Sequence, residues 1–240
     1  MKTPWGAVAL AVVVSAGVFA HAFKTRSRAN HQVSVVGSGS KDFESDLVSW
    51  TAHFTRKNLE LKSAYNALNE DRGLVTRFLT EHGANEKELI FSSIAIDKEF
   101  DSQVLKDGTR TQQFTGYRLT QSVQVESAEV DKYERISRDI TELINAGLEL
   151  TSGSPEYFFT KLPALKIEMV AAAARDAHER AEKIVENAGG HLGKLRQASM
   201  GVFQITAQHS SEEFSWRGTY NTNSRRKTAT VTMRLEYESD

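Results

Sequence analysis

The sequence predicts an α+β fold: an antiparallel or mixed sheet with helices packed on one face, preceded by an N-terminal apolar helix. Three observations carry that expectation. Val48, Trp50, Ala52 and Phe54 alternate with polar neighbours, as do Ala229, Val231, Met233, Leu235 and Tyr237; this is the period of a half-buried strand. Residues 59–82 and 163–188 instead carry apolar side chains at three- and four-residue spacing, the period of an amphipathic helix. Strand-like segments also follow one another in pairs, which favours hairpins and a helix-on-sheet layer.

The elements follow in order. Residues 3–23 contain no Lys, Arg, Asp or Glu. At about 1.5 Å per residue, roughly 20 helical residues span a bilayer core. The triplet Ala20-His21-Ala22 also fits a signal-peptidase site. A cleaved signal and a retained anchor therefore stand as alternatives for 1–23, and export to the periplasm is expected. Lys24, Arg26 and Arg28 follow the apolar run, while only Lys2 precedes it; by the positive-inside rule alone they would stay in the cytoplasm, in conflict with export. Residues 24–32 read as a linker and 33–240 as the folded domain.

Val33, Val35 and Val36 form a short strand running into a Gly37-Ser38-Gly39-Ser40 turn. A strand at 47–55 and a helix at about 59–82 follow, with Gly73 inside the helix and Gly83 behind it as a C-terminal residue. Residues 89–100 read as one strand with Ile90, Ile94 and Ile96 on a face. Asp107-Gly108 marks a hairpin turn into a strand at 114–125. A helix at about 129–145 is followed by an extended stretch at 148–160. Pro163 opens the strongest helix, and Gly189-Gly190 ends it. Residues 195–207 and 227–237 form the last two strands, joined by a long polar loop at 208–226. The order strand–helix–strand occurs twice, suggesting a weak doubling.

Composition narrows function. With 40% hydrophobic and 25% charged residues, the chain is not of the disordered type. The net charge of -1 supplies no basic field for nucleic acid. The absence of cysteine removes disulfides, thiol catalysis and cysteine metal sites. Gly37 and Gly39 lack the third glycine, the Lys-Ser/Thr pair and the following helix of a phosphate loop. The seven histidines show no i,i+4 pair and no H-E-x-x-H; His178 with His191 would be the pair to test for a metal. There is no G-x-S-x-G elbow. No catalytic residue, metal or cofactor is therefore expected. Phe214, Trp216 and Tyr220 in the long loop, with the nearby basic cluster containing Arg225 and Arg226, are the candidate interface.

A set of ordered segments resembles one family. Val33-Ser34-Val35-Val36-Gly37-Ser38-Gly39-Ser40 is similar to the opening V-x-G-x-G signature of the SIMPL-domain family. The strand from Gly116-Tyr117-Arg118 to Val125 resembles its GYR strand, and the helix from Ala171 to Ile184 its "A…DA…KAE" helix. The turn Gly190-His191-Leu192-Gly193-Lys194 and the closing strand at 230–237 continue the likeness. The resemblance implies an α+β fold, an exported or membrane-attached place in bacteria, ring-like homo-oligomers and no established enzymatic activity. It also implies a loose link to envelope and oxidative stress. The stretch 208–226 departs from the pattern, being richer in aromatics and charge. The expected function is a non-catalytic envelope module that self-assembles through edge strands and the loop at 214–220, with no nucleic-acid partner. The alternatives are a small-ligand or lipid-binding stress sensor, requiring an apolar pocket between sheet and helices, and an unrecognised enzyme.

Overall fold

The computed structural model describes residues 14–16, 32–104 and 110–239, the side chains of Gln103 and Val104 excepted. Apart from residues 14–16, the signal or anchor segment at 1–23 lies outside the described residues, as do the linker up to residue 31 and the Asp107-Gly108 turn. Among the described residues no helix is long and apolar enough to cross a membrane.

The fold is α+β, but it contains two sheets where one was expected. The first is built on β2 (Leu47–Asn58) and β5 (Arg110–Ser127), paired antiparallel from Val48↔Ser127 to Asn58↔Tyr117. On the far side of β5 lie β3 (Ile90–Phe91) and β4 (Ala95–Val104). On the far side of β2 lie β6 (Glu149–Ser152) and β7 (Glu156–Phe158). Helices α1 (Leu61–Glu81) and α2 (Val130–Asp139) supply the apolar layer of its core. The second sheet pairs β1 (Gln32–Glu44) with β11 (Arg226–Ser239) along their whole length. Along the other side of β11 run β8 (Leu192–Met200) and β9 (Gln204–Ala207), and β10 (Thr219–Tyr220) adds parallel to β9. Helix α3 (Leu162–Asn187) packs on it. The first strand of the domain thus sits in the C-terminal sheet, so the doubled strand–helix–strand order is not a tandem repeat.

The alternation seen in sequence decides which faces are buried. Val48, Trp50, Ala52 and Phe54 are at most 1% exposed and meet Leu68, Val75 and Leu79 from α1. Gly73 does not interrupt α1, which runs unbroken from Leu61 to Glu81, and a Cβ there would meet nothing within 4 Å. On β11, Ala229, Val231, Met233, Leu235 and Tyr237 are all buried, against Met169, Ala173, Ala177 and Ala181 of α3.

Four local readings are corrected. Gly37-Ser38-Gly39-Ser40 is the middle of a thirteen-residue strand, not a turn. A Cβ on Gly37 would lie 2.3 Å from the Ala177 nitrogen, and one on Gly39 would lie 2.5 Å from the Met169 oxygen. The glycines let α3 lie directly on the strand backbone, which is what glycine inside a strand commonly marks. The single strand expected at 89–100 breaks into β3 and β4, and Ile90 and Ile96 are exposed. One backbone bond persists at the break, from the Ser92 amide to the Ser122 carbonyl at 2.9 Å, and side chains add to it: Gln121 Nε2 donates to the Ser92 carbonyl at 2.8 Å, and the Ser122 amide donates to Ser92 Oγ at 3.0 Å. The helix at 129–145 is α-helical only to Asp139 and continues as tighter turns to Ala146, closed by Gly147 at φ 84°. Finally, residues 195–207 are two strands, β8 and β9, stepping past each other at Gly201 on the flank of β11.

Candidate functional site

Two layers of polar contacts lock the sheets together. The Ser45 amide donates to the Arg225 carbonyl at 2.9 Å, and the Asp46 amide donates to the Phe158 carbonyl at 3.0 Å. The Asp46 carboxylate accepts from the Thr160 amide and hydroxyl at 2.7 and 2.8 Å. Arg225 reaches Glu44 at 2.9 Å, Glu134 at 3.4 Å and also Asp131. Hydrogen bonding from Arg225 holds the Asp131 carboxyl below the usual range. Beside this clamp Lys227 is 1% exposed and donates to the Tyr157 carbonyl. Burial alone pushes its amine down to about 8. Its Nζ also lies 5.6 Å from the Tyr220 ring centre.

Among the five residues singled out in sequence, Arg225 has a role inside the fold. Arg225 is spent on internal ion pairs that join the sheets. Tyr220 sits on β10 at the same junction, and Arg226 is exposed beside it. Phe214 and Trp216 are the most exposed of the three aromatics, at 65% and 79%, with Tyr220 at 43%. Their loop is ordered by Gln204, whose amide donates to the Ser215 carbonyl at 2.6 Å and accepts from the Ser215 amide at 3.2 Å. The long loop expected at 208–226 thus contains β10 and is tied to β9.

The histidines disperse. His178 Nδ1 is 3.1 Å from the Tyr237 hydroxyl, and His82 stacks on Phe78 at 3.9 Å. Among the described residues no group of three His, Asp or Glu side chains stands close enough to hold a metal. Where Gly37 and Gly39 meet α3, backbone lies against backbone and leaves no room for an apolar pocket at that crossing.

Sequence reasoning missed the most unusual surface. Strand β2 ends opposite Tyr117, while the β4–β5 ladder continues to Val104↔Arg110. Residues 110–116 of β5 therefore pair with β4 alone, forming an arm roughly 23 Å long at about 3.3 Å per residue. Gly116, at φ 141°, lets β5 pass the end of β2; a Cβ there would lie 2.8 Å from the Asn58 oxygen. An adjacent irregularity in the ladder pairs Phe100 with Phe114. Their rings meet edge to face at 5.7 Å, and Phe114 meets Tyr117 at 5.1 Å. Phe100, Phe114 and Ile96 are nevertheless exposed. At the base of the arm, Glu99 is held by Lys57 and Arg118, whose hydrogen bonds lower its pKa. The available signal was the near-symmetric placing of the two phenylalanines about Asp107-Gly108.

Comparison with known proteins agrees with the ordered motifs. No curated protein matches the chain. The family model described as SIMPL, protein of unknown function (DUF541), matches residues 33–238, from the start of β1 nearly to the end of β11. The chain belongs to the SIMPL family.

Proposed function

We propose that this chain is a non-catalytic interaction module of the bacterial envelope that assembles with copies of itself through the β4–β5 arm. The observation that carries this reading is the arm itself. A two-stranded ribbon is marginally stable alone in water. The ten-residue β4 presents an outer edge with no strand paired to it among the described residues, and such an edge is a template for another strand. The exposed Ile96, Phe100 and Phe114 add an apolar face that a second copy would cover. Attachment to the membrane, or release into the periplasm, rests on the charge-free run at 3–23. A part in stress tolerance rests on the family resemblance.

Light scattering of the full chain tests the assembly. The native species should have a mass several times 26.7 kDa, and Phe100→Asp with Phe114→Asp should lower it without lowering the melting temperature. A native monomer at high concentration sinks the reading. Cell fractionation with intact-mass measurement separates a retained anchor from cleavage after Ala22.

A further inference from the structure

We infer that the groove at the step between β8 and β9 binds a single-chain anionic amphiphile, a long-chain carboxylate, with its head group between Lys166 and Arg217. The groove measures about 500 Å³, within the roughly 300–1,000 Å³ range of small-molecule sites. Met200, Val202, Phe203 and Ile205 line it, together with the Tyr220 ring. Met200 and Val202 are about half exposed despite being apolar. A second cleft continues from Val202 to Phe214 and Trp216. A methylene chain needs such a floor and no hydrogen-bonding partners along it.

The cations set the head group. Lys166 and Arg217 line the groove, and no carboxylate is among the lining residues. Among the described residues neither Lys166 nor Arg217 is held in an ion pair, as is also true of Lys98, Lys194 and Arg234 elsewhere on the described surface; what distinguishes these two is the aromatic ring under each. Lys166 Nζ rests 5.4 Å from the Phe203 ring centre, and the Arg217 guanidinium rests 4.6 Å from that of Trp216. Stacking on aromatic rings places both charges at the groove while leaving their N–H donors for an anion. Gly218, at φ 92°, brings this corner against β9's approach: a Cβ there would lie 2.9 Å from the Phe203 oxygen. The apolar floor and the cationic rim are thus parts of one backbone arrangement.

The test is titration of the full chain with 9,10-dibromostearate below its micelle concentration, read by tryptophan quenching. The chain has three tryptophans: Trp5 in the apolar N-terminal run, Trp50, which is buried, and Trp216, which is exposed in the adjoining cleft; with Trp5 replaced by Phe throughout, saturable quenching should vanish in Trp216→Phe. Lys166→Glu with Arg217→Glu should weaken binding at least tenfold. Dodecanoate should displace the probe at least tenfold better than dodecanol. Lack of saturable quenching overturns the proposal, as does equal displacement by acid and alcohol or indifference to charge reversal. Charge-dependent binding to phosphatidylglycerol vesicles with no binding of dibromostearate would assign the patch to a membrane surface instead and also overturn it.

Discussion

The two sheets solve one problem, seating a helix on a strand face, with opposite chemistry. The first fills the gap with bulk: Trp50, Phe54 and Tyr133 are at most 1% exposed, with Leu68, Leu79 and Ile136 between them. An aromatic side chain buries about 150–250 Å². At about 25 cal/mol per Å² that is about 4–6 kcal/mol each, as an upper bound. The second removes the gap. Gly37 and Gly39 face Met169, Ala173 and Ala177, and helix backbone lies on strand backbone. Bulk tolerates some repacking, whereas backbone contact does not, because the touching atoms are main-chain atoms that no rotamer change can move aside. The first lobe should therefore be sensitive to losing atoms and the second to gaining them.

The largest expected effect is on the first side. Phe54→Ala should cost about 3–5 kcal/mol by leaving a cavity, measured by denaturant unfolding. Gly37→Ala tests the other side. Adding one methyl should cost about 1–3 kcal/mol, since the atoms it meets belong to the backbone of α3. If Gly37→Ala unfolds at the same denaturant concentration as the native chain, the contrast between the lobes is wrong.

The junction between the lobes gives a third test. The Lys227 amine is pushed down to about 8 by burial, against about 10.4 in an unfolded chain. Between those values the unfolded chain binds the extra proton, so stability should rise with pH across that interval. Lys227→Met should flatten the rise in melting temperature between pH 8 and 10. The rise persisting in that variant would place its origin elsewhere. The smallest effect is Gly73→Ala in α1. Open space around it predicts a gain of about 0.5–1 kcal/mol from helix propensity, seen as a higher melting temperature. The same one-methyl change thus has opposite signs in the two lobes.

Much of the fold was legible because period alone reports burial. The alternation in β2 and β11 named their inward faces residue by residue. Pro163 and Gly189 bracketed α3 to within a residue or two. What period cannot report is the partner. The glycines at 37 and 39 read as a turn because glycine's freedom and glycine's smallness leave the same letter. Arg225 read as a surface cation because its three acids, Glu44, Asp131 and Glu134, are distant in sequence. The same limit applies to the interface candidates: spacing could not show that Phe214, Trp216 and Tyr220 are exposed while Arg225 is enclosed by acids at the junction between sheets.

The sequence by itself determined the α+β class, the family and the inward faces of β2 and β11. These follow from local spacing and from motifs in order. Only the tertiary structure decided that β1 crosses to pair with β11, that the strands divide into two sheets, and that β4 and β5 outrun β2 to leave an aromatic arm. Each of those depends on where a distant segment ends, and hydrogen-bond pairing between distant strands leaves no trace in the spacing of either one.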